Sequence, residues 1–321
     1  MSGRPNYAPF IKRFNTIAGH RHRQEVFRDF VTLSAIALHN AIRRSERLEA
    51  EYLDIVARYE PEIVREQFPK LLGELVELLE PEPADILGQL YMQLEISNER
   101  TGQFFTPPEL SFFMAKLQVG DELNEKIARQ GFVTVSEPAC GAGGMVLAFA
   151  KSVIEQTHNP AHVMWASCQD IDRTAALMCY IQLALWNIPG EVIVGNTLAG
   201  ERREVFYTPA HWLGMWNVKL RRRHEAGEGA SSTGEPGPAA TANATDNAEN
   251  DQDAELLTVA GETASPINVL DAAIAISAPK SAPASLKPAL SAVPTHQKPS
   301  APVVRPGSSA APPQLGFDFD L

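Results

Sequence analysis

Glycines and acidic side chains follow β-rich segments of this 321-residue sequence in a pattern that suits ligand binding. One such segment runs into Val133-Thr-Val-Ser-Glu-Pro-Ala-Cys-Gly-Ala-Gly-Gly-Met145. Glycines let main-chain N–H groups approach a ligand without a Cβ in the way. The carboxylate of Glu137, just before the glycines, favours a ligand with a cationic group, because the two can form an ion pair.

The glycine loop departs from two common nucleotide-binding patterns. A dinucleotide fingerprint needs G-x-G-x-x-G directly after a strand, and the run from Gly141 to Val146 lacks the third glycine. A P-loop is excluded because no Gly-Lys-Ser/Thr follows. The alternative to ligand binding is structural: Gly141, Gly143 and Gly144 could serve only a tight strand-to-helix turn.

Three regions of the chain differ in periodicity and composition. Residues 1–97 repeat apolar residues at steps of three and four, which predicts an all-helical N-terminal domain. Residues 98–223 alternate β-rich and helical runs, which predicts an α/β domain with a parallel sheet and ligands at the carboxyl ends of its strands. The β-rich runs are 131–136, 162–169 and 191–196, and the helical runs are 110–119, 143–157 and 174–187.

Residues 224–321 read as a disordered, acidic tail rich in Pro, Ala and Ser. Twelve of the 24 prolines lie there, and large apolar residues are sparse, so burial cannot offset the chain entropy. The tail carries twelve acidic and four basic residues, and therefore most of the net charge of −11. The near-neutral body can still present a basic face to nucleic acid.

Cysteine usage and hydropathy bear on the compartment. Cys140, Cys168 and Cys179 are odd in number and lack metal-ligand spacing, which predicts buried free thiols in a reducing cytoplasm and no bound metal. No segment approaches 18 consecutive apolar residues, and the N-terminus lacks a run of signal-peptide type. We therefore expect a cytoplasmic protein that has no membrane partner.

Four segments in sequence resemble S-adenosylmethionine-dependent adenine-N6 DNA methyltransferases, most closely the modification subunit of type I restriction systems. They are ERTGQFFTPPELSFFM (99–114), EPACGAGG (137–144), CQDIDRTAALMCYIQLALWNIPG (168–190) and EVIVGNTL (191–198). The resemblance covers residues 84–198 well and residues 1–83 loosely. It implies a truncated Rossmann-like methyltransferase domain, S-adenosyl-L-methionine as cofactor, DNA as partner and a restriction-modification role.

The resemblance also implies a set of cofactor contacts. Glu137 accepts a hydrogen bond or ion pair from the amino-acid end of the cofactor, Asp170 contacts the ribose diol, and Ile171 lies on the adenine face. The glycine loop contributes main-chain N–H groups. The full set is Thr106, Pro107, Glu137, Ala139, Gly141, Gly143, Asp170, Ile171 and Asn196.

Several of these positions have other interpretations. Thr106 and Pro107 are expected to cover the methionine moiety, whereas the neighbouring Phe104 and Phe105 are expected to be core residues. Asn196 stands where the family usually has Asp, and its side-chain carbonyl can still accept from the adenine amine. Asp170 and Asp172 could instead be the N-cap and first-turn acid of a helix, and Asp172 is the more suited to that role.

The sequence lacks the group that the family uses for methyl transfer. The resemblance implies an Asn-Pro-Pro-aromatic tetrapeptide that accepts hydrogen bonds from the adenine amine and stacks on the flipped base. The one Asn-Pro, Asn159-Pro160, precedes the second predicted strand. Tyr207, His211 and Trp212 are the remaining candidates for base stacking, but they supply no carboxamide acceptor. Three or four strands fit before residue 224, whereas the family domain has about seven.

Two classes of function therefore stand beside each other. The first is a cofactor-binding member of the adenine-N6 methyltransferase family, and the alternative is a non-catalytic module that binds cofactor or DNA as partner or antagonist of a restriction-modification system. A third possibility is a decayed remnant whose tail acts as a tether. Separately, Gln314-Leu-Gly-Phe-Asp-Phe319 is similar to peptides that attach bacterial proteins to the sliding clamp, although terminal hydrophobic residues can occur by chance.

Overall fold

The computed structural model describes residues 5–94, 96, 105–120 and 122–231, with side chains described as far as residue 225. Its last helix continues through residue 231. The rest of the tail, including the clamp-like segment Gln314–Phe319, lies outside the described residues.

The described residues before position 97 form five α-helices, and aromatic side chains fill the space between them. They are α1 (Ala8–Ile17), α2 (Arg23–Asn40), α3 (Glu46–Val56), α4 (Phe68–Leu79) and α5 (Ile86–Gln93). Phe10 packs edge-on against Phe30, and Phe14 packs edge-on against Phe27. The long apolar pattern from residue 27 to 59 forms two helices, because the chain turns after α2 and Ser45 caps α3 by accepting from the Leu48 N–H.

The α/β part follows the predicted alternation of helices and strands. The strands are β1 (Val133–Glu137), β2 (Met164–Asp170), β3 (Gly190–Val194) and β4 (Glu204–Tyr207). The helices are α6 (Pro108–Val119), α7 (Leu123–Gln130), α8 (Gly144–Glu155), α9 (Pro160–Val163), α10 (Arg173–Leu185), α11 (Pro209–Leu213) and α12 (Trp216–Ser231).

The sheet has the order β1-β2-β3-β4, and its first three strands are parallel. This confirms the predicted parallel strands and their crossover helices α8 and α10. The fourth strand is antiparallel to β3, which the sequence did not predict. Residues 195–203 connect the two strands, and this length is too short for a parallel crossover, which needs about a dozen residues or more.

The two faces of the sheet differ in polarity. One face carries Val133, Met164, Ala166, Cys168 and Val192, and it packs against helices in the hydrophobic core. The other face, which alternates with it along the strands, carries Thr134, Ser136, Ser167, Gln169 and Glu191. Parallel strands covered on both faces are usually continuous apolar runs. This sheet is instead built to pack helices mainly on one face.

One hydrophobic core continues from the N-terminal helices into the sheet. Phe206 of β4 contacts both His39 of α2 and Tyr180 of α10, at ring-centroid distances of 5.9 and 5.6 Å. Arg173, the first residue of α10, forms ion pairs with Glu51 and Glu204.

The domain limits at residues 97 and 223 stay predictions. Among the described residues, no helix combines the length and hydropathy that crossing a membrane requires.

Candidate cofactor-binding site

The loop between β1 and α8 requires glycine at two positions. Gly141 has φ +52° and Gly143 has φ +94°, a region that other residues rarely adopt. A Cβ at Gly143 would lie 2.9 Å from the Cys179 sulfur, and one at Gly141 would lie 3.2 Å from the Phe105 ring. The Gly143 N–H donates to the Cys140 carbonyl over 2.8 Å, which closes a turn. The glycines therefore have a structural role in this turn. The turn places the Gly141 backbone close to the edge of the sheet.

Asp170 joins this loop to the end of β2. The Gly141 N–H donates to Asp170 Oδ2 over 2.8 Å, and the Asp172 N–H donates to Oδ1 over 2.9 Å. Burial raises the pKa of Asp170, while these backbone hydrogen bonds oppose the rise. Each carboxylate oxygen has capacity for a further donor. The structure thus brings together the two positions that the sequence predicted to share one ligand.

The alternative role as a helix cap belongs to Asp172 and not to Asp170. Helix α10 begins at Arg173, and the Asp172 side chain accepts from the Ala175 N–H over 2.9 Å. This is an N-cap hydrogen bond. Asp170 lies two residues earlier, and its carboxylate accepts a hydrogen bond from Gly141 of the glycine loop.

Glu137 provides a second carboxylate at the same end of the sheet. It is the last residue of β1, it is half-buried, and the Ala139 N–H lies 3.4 Å from its Oε1 atom. Burial raises the pKa of Glu137. Ala139 itself is exposed at the tip of the turn. Two acidic groups beside exposed backbone form a site that favours a cationic ligand.

The segment after β3 is held against the glycine loop. Thr197 donates from its hydroxyl to the Pro138 carbonyl over 2.6 Å. Asn196 caps the short helical turn Thr197–Ala199, because its Oδ1 atom accepts from the Leu198 N–H over 3.0 Å. The predicted use of Asn196 as an acceptor from adenine therefore depends on the second lone pair of this oxygen.

Two exposed apolar side chains border the ends of β2 and β3. Ile171 is 62% exposed, and Leu198 is 99% exposed. Ile171 was predicted to lie on an adenine face. Leu198 was not singled out, although it is the last residue of the segment EVIVGNTL that carries the resemblance. Apolar side chains this exposed beside two carboxylates suit the flat face of a base.

Thr106 and Pro107 lie at the start of α6, near the start of α8. Thr106 borders a small hollow of about 60 Å³ together with Asp85, Ser111 and Gly144. Phe105 packs partly buried against the core and stands edge-on to Tyr91 at 5.7 Å. Its predicted core role is thus observed, while its ring also covers one side of Gly141. Phe104 lies outside the described residues.

Tyr207 and Trp212 belong to an aromatic cluster away from the glycine loop, and their use in base stacking stays a prediction. Because β4 runs antiparallel, Tyr207 pairs with Glu191 at the start of β3. Its ring lies 4.5 Å from His211 and 5.4 Å from Trp212, and His211 accepts from the Trp165 indole N–H. Trp165 and Asp170 are five residues apart on β2, about 16 Å at the rise of an extended strand. Tyr207 itself is level with Ser167, three residues or about 10 Å from Asp170 along the strands.

Three buried thiols lie beneath the glycine loop. Cys140, Cys168 and Cys179 are all buried and free, as the sequence predicted, and the three side chains lie close to one another. Across the described residues, no group of three or more His, Cys, Asp or Glu side chains has an arrangement that could hold a metal ion. The thiols therefore pack the underside of the loop.

Comparison with known proteins finds a similarity in the central part of the chain. A family model described as N-6 DNA methylase matches residues 83–214. Among curated proteins, none gives a significant match. A solved structure from Listeria monocytogenes, described as a class I S-adenosylmethionine-dependent methyltransferase, matches with 16% identity and a TM-score of 0.27. The match covers 57% of this chain and 51% of that one, so this chain spans about half its length.

A structural likeness of that size does not establish a shared fold. The parallel order of β1, β2 and β3 and the geometry of the glycine loop rest on this structure alone. The family match contains every residue of the site described above, from Thr106 to Leu198. Over residues 83–214, the chain is similar to the N-6 DNA methylase family.

Proposed function

We propose that this chain binds S-adenosyl-L-methionine at the carboxyl ends of β1, β2 and β3, as a member of the adenine-N6 DNA methyltransferase family. The observation that carries the proposal is the hydrogen bond of 2.8 Å between the Gly141 N–H and Asp170. It joins a glycine turn, which exposes backbone, to a carboxylate, which can accept from a ribose diol. A turn needed only for chain reversal would not require the acidic partner.

The side chains present fit the different parts of this cofactor. Asp170 retains acceptor capacity for the ribose hydroxyls, and Ile171 and Leu198 offer apolar surface to the adenine. We expect Glu137, at the end of β1, and Thr106, which borders a hollow with Gly144, to face the sulfonium and the amino-acid end. The negative charge of Glu137 and Asp170 complements the positive charge of the sulfonium. When bound, the cofactor supplies an electrophilic methyl group.

We propose further that this chain alone does not methylate adenine. The amine lone pair is delocalised into the purine ring, so transfer needs acceptors that favour the sp³ nitrogen of the transition state. The sequence has no Asn-Pro-Pro-aromatic tetrapeptide, and its Asn159-Pro160 lies ahead of β2, where Asn159 caps α9. Methylation of DNA in the cytoplasm therefore needs a partner subunit that contributes the acceptor pair.

The alternative function is a non-catalytic module that binds cofactor or DNA and acts as partner or antagonist of a restriction-modification system. The polar second face of the sheet favours it. Glu191 is only 8% exposed there, yet Ser167 and Arg202 both donate to its carboxylate over 2.9 Å. If helices of a partner packed on this face, the face should be apolar, because parallel strands covered on both faces are usually continuous apolar runs.

Calorimetry with S-adenosyl-L-methionine on the full chain tests the proposal. We expect saturable heat in the micromolar to millimolar range and weaker heat from adenosine alone. An absence of heat at millimolar ligand would remove the proposed function. Asp172→Ala is the matched control for Asp170→Ala, because it removes the cap of α10 and leaves Asp170 in place.

A transfer assay then separates the two candidate functions. Tritiated methyl groups from the cofactor are offered to unmethylated DNA, with the chain alone and with a complete modification subunit added. We expect no incorporation with the chain alone. An increase above the subunit's own rate would identify a catalytic partner, and a decrease would identify an antagonist.

A further inference from the structure

A fully buried glutamine connects the glycine loop to the N-terminal helices. Gln182 lies on α10 and is 0% exposed. Its Nε2 atom donates to the Ala142 carbonyl of the glycine loop over 2.7 Å, and also to Asp85 Oδ1 over 3.0 Å. Its Oε1 atom accepts from the Ile86 and Leu87 N–H groups over 2.8 and 3.0 Å. All four hydrogen-bonding positions of the carboxamide are therefore used.

Asp85 completes this connection from the other side. Its Oδ1 atom also accepts from the Gly88 N–H over 2.7 Å, which caps α5. Its side chain lies beside the start of α8, because a Cβ at Gly144 would be 3.6 Å from Asp85 Cβ and Oδ2. Burial raises the pKa of Asp85, and the hydrogen bonds from Gln182 and Gly88 oppose the rise. A carboxylate at a helix N-terminus is also favoured by the helix dipole.

The two residues hold the loop from the side away from the sheet edge. Asp170 fixes Gly141 through its N–H, whereas Gln182 fixes the adjacent Ala142 through its carbonyl. Ala142 is 1% exposed, so this carbonyl would be a buried acceptor without a partner if Gln182 were absent. The backbone between these two anchors is the part that would meet a cofactor.

We infer that Gln182 and Asp85 are positioning residues, which set the conformation of the glycine loop and make cofactor affinity depend on the docking of α5. The part of the inference that concerns cofactor affinity rests on the proposed function. Helix α5 is accordingly a component of the cofactor site.

Two measurements on the full-length chain test the inference. The first is the dissociation constant for S-adenosyl-L-methionine, by calorimetry at a temperature at which each variant is folded. The second is amide hydrogen exchange of a peptide that spans residues 138–147, which needs no ligand. The variants are Gln182→Met, which removes all four hydrogen bonds, and Asp85→Asn, which keeps an oxygen acceptor for Gly88 and Gln182.

The control is Ser152→Ala, a buried site on α8 whose hydroxyl donates only to the Ala148 carbonyl of its own helix. We expect Gln182→Met to weaken binding at least tenfold and to speed exchange of the loop amides at least tenfold. We expect Ser152→Ala to stay within about threefold of the parent chain in both, and Asp85→Asn, which keeps the acceptor but loses the charge, to change both by less than Gln182→Met and by more than Ser152→Ala. A purely structural role would lower the melting temperature of Gln182→Met without changing either quantity in the folded protein.

The results separate failure of the inference from failure of the proposed function. If the parent chain gives no binding heat, the proposed function fails, and loop exchange alone decides the inference. A folded Gln182→Met with parental loop exchange would overturn the inference in either case. If Gln182→Met does not fold, Gln182→Glu takes its place, because it keeps the acceptor for Ile86 and Leu87 and loses the donors to Asp85 and Ala142. Parental exchange and affinity in Gln182→Glu would overturn the inference.

Discussion

At the carboxyl end of the sheet, Asp170 and Glu137 stand beside exposed backbone, and Ile171 is largely exposed. At the amino end, Trp165 donates to His211, which lies buried against Tyr207. Charged and apolar groups at the first end retain capacity for a ligand, whereas aromatic groups at the second satisfy one another. We call the first the proposed binding edge and the second the packing edge. Along β2, Asp170 and Trp165 are about 16 Å apart, and Tyr207 lies between them, level with Ser167.

The packing edge should show the largest effect, as a pH dependence of stability. Burial lowers the pKa of His211 to about 4, below its ordinary value of 6.5. The neutral form is favoured in the folded state, so the stabilisation is fully present above pH 6.5 and is lost as pH falls toward 4. The loss is on the order of 3 kcal/mol. Denaturant unfolding at pH 7, 5.5 and 4 measures it.

His211→Gln serves as the matched variant for this pH dependence. Its side-chain oxygen can accept from the Trp165 N–H, but it does not titrate. Its free energy of unfolding should therefore fall less than that of the parent between pH 6.5 and 4. Equal falls in both proteins would show that His211 is not the group responsible.

Replacement of Asp170 by Ala should have the largest effect at the binding edge. It removes the acceptor for the Gly141 and Asp172 N–H groups and the proposed ribose contact. We expect affinity for S-adenosyl-L-methionine to fall about 100-fold, or about 2.7 kcal/mol. Asp172→Ala, which loses only the α10 cap, should stay within about fivefold. Similar losses in both variants would argue for a general structural effect.

Substitution at Gly143 should test how tightly the loop is built. Gly143→Ala combines a positive φ with a Cβ that would be 2.9 Å from the Cys179 sulfur. Gly200→Ala has a positive φ with open space around the Cβ. We expect Gly143→Ala to lower the free energy of unfolding by about 2 kcal/mol and Gly200→Ala by about 1 kcal/mol. An equal cost at the two sites would mean that the contact with Cys179 relaxes freely.

The smallest effect is expected for Tyr207→Phe, at the packing edge. The variant loses a hydroxyl that interacts with Glu191 and keeps the ring against His211. Stability should fall by about 1 kcal/mol or less, and cofactor affinity should stay within twofold. A loss of affinity above tenfold would place Tyr207 back in the binding site.

Part of the fold and site followed from local sequence. The alternation of β-rich and helical runs predicted three parallel strands, because each run is long enough to bury one face. The glycines at 141 and 143 and the carboxylate at 170 came from residue types at strand ends and from family resemblance. The antiparallel β4 did not follow, since the short 195–203 connection fixes its direction only when β3 has ended at Val194.

Gln182 was missed for a different reason. It lies within a helical run, where an isolated glutamine carries no pattern, and Asp85 is 97 residues away along the chain. Their relation exists only because α5 and α10 pack against the same loop. The same applies to the thiols of Cys140, Cys168 and Cys179, whose spacing gave no sign that they meet.

The sequence by itself determined at which positions a glycine exposes the main chain and which carboxylates follow a strand. Those properties belong to single residues and their neighbours. Only the tertiary structure decided which end of the sheet each side chain reaches. A strand advances about 3.3 Å per residue, so its direction and register place a tyrosine beside the glycine loop or far from it. Tyr207 and Asp170 differ in that outcome, and no local pattern distinguishes them.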